Sequence, residues 1–190
     1  MRTSRSLLLL LLAPALWPAA AAAEADPVEW LVEVGVHHSR LRVAVGAEGV
    51  DDRDDGALGP VLGAGVRRSA DAARHHWLGM QLEWARVRGD PLLAWRAIDY
   101  QYRPGWEAPL AFGAFLGVAR LDTGAPALGW YVGVTASWQR LFAGLDLGLD
   151  LRLGDSLARD KLLAGDPPAT VRPDLFYGLT GAVLSLTWRR

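Results

Sequence analysis

Acids, arginines and amides recur at alternate positions in this 190-residue chain: Glu33 and His37, Arg67, Gln81 and Glu83, Asp99, Gln101 and Arg103, then Asp146, Asp150 and Arg152. Paired carboxylates in contrasting surroundings can act as general acid and base, and a row of titrating groups can carry protons or ions. The same groups can instead neutralise one another, because a buried charge is tolerated only when it is paired and hydrogen-bonded. Gathered inside one narrow enclosure, they are expected to form a salt-bridged, hydrogen-bonded plug.

Other chemistries are excluded or unsupported. The chain has no cysteine, which removes disulfides, thiolate zinc sites, iron-sulfur clusters and cysteine nucleophiles. The histidines come as adjacent pairs, His37-His38 and His75-His76, and neighbours on a strand point to opposite faces, so neither pair can share one ion there. There is no glycine-rich phosphate loop ahead of a helix, no G-x-S-x-G elbow and no H-E-x-x-H motif. No metal and no cofactor are expected. A net charge of -1 and a pI near 6.4 argue against nucleic acid, whose binders carry a basic patch or stripe.

The elements that would position these residues begin with a targeting segment. Arg2 and Arg5, the apolar run Leu7 to Leu16 and the small residues Ala19 to Ala23 read as a signal peptide over 1–23. Cleavage after Ala23 or Ala25 leaves a single domain, 24–190 at its longest, with a net charge of about -3 once the two leader arginines are gone. Pro14 and Pro18 interrupt the apolar run, and it is shorter than the roughly 20 residues a spanning helix needs.

The rest of the chain alternates with period two. In one segment Trp30, Val32, Val34 and Val36 oppose Glu33, Gly35 and His37; in another Leu78, Met80, Leu82 and Trp84 oppose Gly79, Gln81 and Glu83. The clearest sets Leu145, Leu147, Leu149, Leu151 and Leu153 against Asp146, Gly148, Asp150, Arg152 and Gly154. A helix would scatter those leucines; a strand puts all five on one side. Further segments fall at Leu58 to Arg68, Leu92 to Arg103, Leu110 to Arg120, Leu128 to Gln139 and Leu175 to Trp188. Gly59, Pro60, Gly63 and Gly65 make the second segment the least regular. Eight segments of about ten residues predict an all-β, eight-stranded antiparallel up-and-down transmembrane β-barrel.

Long connections after the first segment, with Asp51, Asp52, Asp54 and Asp55, and at Asp155 to Asp174 are read as outer loops; those at Gly89 to Pro91 and Asp122 to Ala127 are short. The turns at Pro104-Gly105 and Phe142-Ala143-Gly144 would face the periplasm with both termini. The acidic stretch reads as a solvated loop or as a site for divalent cations bridging lipopolysaccharide phosphates. A short helical turn is expected over Ser156 to Leu163. Two aromatic girdles are expected: Trp30, Trp77, Trp106, Trp138 and Trp188 at the periplasmic ends, and Trp84, Trp95 and Trp130 toward the outer ends. The alternative is a soluble barrel holding an apolar ligand, but eight strands enclose too little space for so many leucines, valines and tryptophans.

At the C-terminus Ala182, Leu184, Leu186 and Trp188 alternate to the end of the chain. This is similar to the C-terminal signal of small eight-stranded outer-membrane barrels, the group of the OmpA transmembrane domain and the OmpX/Ail-like proteins. Those chains usually end on an aromatic residue, whereas here Arg189 and Arg190 follow. The resemblance implies the outer membrane of a Gram-negative bacterium as location. The implied partners are its lipid and lipopolysaccharide, and the barrel-assembly machinery acting through the last strand.

His37-His38-Ser39 also resembles the His-x-Ser of outer-membrane lipid A deacylases of the PagL type, in which histidine activates a serine nucleophile. In that family the pair lies late in the chain with an acidic partner. Here it falls on the first strand, no partner can be named, and three polar residues there also read as the start of a loop. The expectation is a non-enzymatic barrel with an envelope-structural or surface-interaction role. A PagL-type acyl hydrolase using His37 and Ser39, and a soluble ligand-binding barrel, are the alternatives.

Overall fold

The computed structural model describes residues 28–45, 49–51, 56–142, 144–161, 164–170 and 175–190. The expected leader and Asp52, Asp54 and Asp55 lie outside these. Eight long strands form the wall: β1 Val28–Val45, β2 Ala57–Ser69, β3 His76–Val87, β4 Asp90–Tyr102, β5 Leu110–Leu121, β6 Gly129–Phe142, β7 Leu145–Asp160 and β8 Leu175–Arg189. Each is antiparallel to the next, and β8 pairs back onto β1, so the sheet closes into a barrel. Short strands Gly49–Asp51 and Ala125–Pro126 extend β1 and β7 at one rim.

One ladder followed round the wall runs Leu31, Gly65, Gln81, Arg96, Gly117, Tyr131, Gly154, Leu179 and back to β1 at Leu41, ten residues (41 − 31) beyond its start. This stagger tilts the strands and fixes a bore that side chains can fill. The terminal end of the barrel carries Val28, Arg190 and the turns at 70–75 and 103–109; the loop end carries 88–89, 122–128, 161 and 164–170. The β3–β4 hairpin at the loop end turns on Arg88 and Gly89, both at positive φ (56° and 92°), the two-residue geometry whose twist matches that of paired strands.

Alternation sorts the side chains as the period-two pattern requires, with the apolar face outward. Val32, Val34, Val36, Leu62, Leu82, Leu93, Ile98, Leu116, Val134, Leu149, Leu151, Leu153 and Leu184 stand on the outer surface, each 48–57 % exposed. The inner face holds Glu33, Arg67, Gln81, Glu83, Arg96, Asp99, Gln101, Asp146, Asp150 and Arg152, all buried.

Several expectations are corrected. His37 to Ser39 do not begin a loop: β1 continues to Val45 because β8 and β2 flank it on both sides through Ser39. Ser156 to Asp160 do not form a helical turn; they extend β7, whose pairing with β8 shifts between Gly154 and Ala158 while Ser156 takes positive φ (61°). That bulge turns Leu157 and Ala158 into the interior. The second segment is a full strand, and its glycines have a packing reason. A Cβ on Gly63 would lie 2.4 Å from Gln81 Nε2, so bare backbone on β2 leaves room for large polar groups opposite. Trp77 is not in a girdle: it shares the inward parity of Gly79 and Gln81, is 3 % exposed, and donates from Nε1 to the Arg74 carbonyl at 2.9 Å. Of the other tryptophans, Trp30, Trp106, Trp130, Trp138 and Trp188 are exposed, and Trp84 and Trp95 are half-buried on the outer face.

Candidate functional site in the barrel interior

The bore has two storeys. Toward the terminal end it is charged. Arg96, near mid-height on β4, donates to Glu83 at 2.9 Å and to Asp150 at 2.8 Å. Arg152 donates to Asp150 at 2.9 Å, to the Tyr131 hydroxyl at 3.0 Å and also to Glu83. Tyr131 in turn donates to Glu83 at 3.2 Å. Gln81 donates to Glu33 at 2.6 Å, and Arg67 pairs with Asp99 at 2.8 Å. Near the mouth Arg103 pairs with Glu29 at 2.5 Å and donates to Gln101 at 2.8 Å, and Arg189 pairs with Asp146 at 2.6 Å. Two guanidiniums also lie over rings, Arg96 on Phe115 and Arg103 on Trp77, each 4.1 Å from the centroid, which adds attraction where water is excluded.

Toward the loop end the bore is apolar. Leu41, Val61, Val87, Leu92, Leu121 and Leu179, with Leu157 from the β7 bulge, pack together across the barrel, each 5 % exposed or less. Burial of this kind contributes roughly 25 cal/mol per Å² of apolar surface. The interior is sealed at this end by packing and filled at the other by charge.

His37 and Ser39 lie in the apolar storey. Being two apart on β1 they share the inner face, and His37 Nδ1 is 2.5 Å from Ser39 Oγ. The other ring nitrogen, Nε2, is 2.6 Å from the Arg86 carbonyl. A carbonyl oxygen only accepts, so Nε2 carries the proton, and Nδ1 is left to accept from the serine hydroxyl. This is the tautomer that a serine-activating base needs, oriented by a backbone carbonyl where a triad has a carboxylate. Gly59 makes the arrangement possible, since a Cβ there would sit 2.0 Å from the Arg86 carbonyl and 2.5 Å from His37 Nε2. Yet both side chains are buried, at 2 % and 4 % exposure.

Glu33, Arg67, Gln81, Glu83, Asp99, Gln101, Arg103, Asp146, Asp150 and Arg152 line the charged storey or its mouth, while His37 stands apart from them among apolar neighbours. The central cation, Arg96, is absent from the sequence-based set. β4 has one extra residue at Ala97, because Arg96 pairs with Gly117 and Ile98 with Leu116. This bulge switches the inward parity from Leu92, Ala94 and Arg96 to Asp99 and Gln101. The signal was present: the outward apolar positions pass from odd, Leu93 and Trp95, to even, Ile98, Tyr100 and Tyr102. Tyr131, Glu29 and Arg189 were also missed, the last because it follows the final apolar alternation. Among the described residues no three His, Asp or Glu side chains converge to hold a metal ion.

No protein-family model and no curated protein sequence matches the chain. Among solved structures it is similar to Neisserial surface protein A, at 13 % identity and TM-score 0.47, over 83 % of this chain and 96 % of that one. It is also similar to Ail, the attachment invasion locus protein of Yersinia pestis, solved in complex with the heparin analogue sucrose octasulfate, at 10 % identity and TM-score 0.44, over 85 % of this chain and 99 % of that one.

Proposed function

We propose that the chain is a non-enzymatic integral outer-membrane β-barrel protein of a Gram-negative bacterium, exported by a cleaved leader over 1–23, with an envelope-structural or surface-interaction role. The observation that carries this reading is the inversion of its faces: half-exposed leucines and valines outside, buried charges inside. A closed sheet satisfies its backbone without water, as a hydrocarbon setting demands. In water the same outer surface would be an apolar patch far larger than soluble monomers show. This also argues against a soluble barrel holding an apolar ligand, as does the packing of the apolar storey by its own side chains.

On this reading the exposed tryptophans sit at the lipid–water interfaces. The partners are outer-membrane lipid and lipopolysaccharide, and β8 is the strand presented to the assembly machinery. With both ends of the bore closed by side chains, surface contacts fall to the loops, where backbone is free to vary. The test is heat-modifiability in isolated outer membranes. A mobility difference between boiled and unboiled samples with retention in the membrane is the expected result; a protein that washes off without a shift overturns it.

The His37–Ser39 geometry favours a second reading, acyl hydrolysis of lipid A, and their burial in a packed apolar environment weighs against it. Mass analysis of lipid A with and without the protein separates the two: an unchanged acyl pattern removes the hydrolase.

A further inference from the structure

At the terminal mouth Glu29, Arg140, Gly144, Arg189 and Arg190 line a cavity of about 150 Å³. Arg103 and Arg189 pair with Glu29 at 2.5 Å and 3.5 Å, and Arg189 also holds Asp146. The two carboxylates are thus engaged by two of the four guanidiniums. Among the described residues neither the Arg140 nor the Arg190 guanidinium has a carboxylate partner. Gln139, the neighbour of Arg140, has a buried Nε2 without a hydrogen-bond acceptor in the protein. The side chains of the mouth thus set four guanidiniums against two carboxylates, with Gln139 Nε2 as a further donor.

The backbone holds this arrangement at a cost. Arg140 sits at positive φ (53°) where the β6–β7 pairing slips between Trp138 and Phe142, and its amide donates to Asp146 Oδ1 at 2.8 Å. A non-glycine residue in that region is strained and persists only where its surroundings fix it. Arg190 is fixed by its main chain, which exchanges two hydrogen bonds with Trp30. Trp30, Phe142 and Trp188, exposed by 64 %, 75 % and 42 %, adjoin these residues in the chain or in the ladder.

We propose that this cavity binds the phosphate group of an anionic phospholipid of the inner, periplasmic-facing leaflet, with Arg140 and Arg190 as the recognising cations. Guanidinium groups suit phosphate oxygens because their paired donors match them. The neighbouring exposed aromatics would meet the glycerol and upper acyl region, which is why a lipid fits better than a free oxyanion. The inference rests on the membrane-barrel reading, and the same preparation tests both separately.

The test uses the full mature chain in detergent, with phosphatidylglycerol as probe and native mass spectrometry as readout. One retained lipid per barrel is expected, with retention lowered about tenfold in Arg140→Gln/Arg190→Gln and unchanged in Arg120→Gln at the opposite rim. Heat-modifiability of each variant reports folding; if the double variant loses its shift, Arg190→Gln alone is read, since its strand pairing uses only main-chain groups. Equal retention by the arginine variants and the wild type overturns the site. Inorganic phosphate bound at the cavity with no lipid retained overturns the lipid source. A wild-type barrel that shifts on boiling but retains neither lipid nor inorganic phosphate overturns only the pocket, whereas absence of the shift overturns the membrane reading and the pocket with it.

Discussion

The two storeys of the bore occupy the same wall but are held by different forces. In the apolar storey Leu92, Leu121 and Leu179 gain from every contact independently, so the loss of one methyl costs in proportion to the hole it leaves. In the charged storey Glu83, Arg96, Asp150, Arg152 and Tyr131 are joined so that each satisfies at least two others. Removal of one strands a partner in low dielectric. The contrast teaches that an interior too narrow for a hydrophobic core of ordinary size can be filled by a network, at the price of interdependence.

The comparison is broken or sharpened by measuring unfolding in urea, read as loss of the unboiled gel mobility. Arg96→Met is expected to have the largest effect, a loss of about 4 kcal/mol, because Glu83 and Asp150 lose a shared cation. If it costs less than a leucine truncation, the charged storey is not interdependent. Leu121→Ala should come next at about 3 kcal/mol, through lost transfer energy and a residual cavity. It should be insensitive to salt, and a strong salt dependence would blur the two storeys.

Ser39→Ala should cost about 1 kcal/mol, the net worth of a single hydrogen bond, and leave lipid A unaltered; a changed acyl pattern would restore the hydrolase reading. The smallest effect belongs to Asp71→Asn in the β2–β3 turn, outside both storeys. There the His76 amide at 2.7 Å, and then the His75 amide at 3.2 Å, hold the carboxyl below its usual range. A depressed folded value means that its contribution is complete above the ordinary carboxyl pKa of about 3.9 and is lost as pH falls through the folded value. The variant should therefore match the wild type in strong acid and differ slightly at neutral pH, in hydrogen exchange at the His76 amide.

The barrel was legible because period-two alternation survives in β1, β3 and β7, where Leu145 to Leu153 all face out. It was less legible wherever an extra residue enters a strand. The bulge at Ala97 hid Arg96, and the one near Ser156 made an extension of β7 read as a helical turn. Such insertions are set by pairing with the following strand, β5 or β8, and not by the residues beside them, and so leave only a parity change as their local trace. Trp77 was misplaced because its type suggested an interface while its parity pointed inward. The hydrogen bond between His37 and the Arg86 carbonyl had no sequence signal at all, since it uses a backbone atom from another strand.

The closing seam between β1 and β8 has a consequence in time. Leu31 meets Arg189 and Val43 meets Tyr177, so the two strands that complete the wall come from opposite ends of the described chain. Contacts so remote in sequence are slow to form, because the loop between them must be ordered first. Until they form, two open edges offer unpaired amides and carbonyls. Assembly is therefore expected to finish in one late step, and the finished barrel to come apart only by reversing that step, which makes it a durable object whatever its margin of stability.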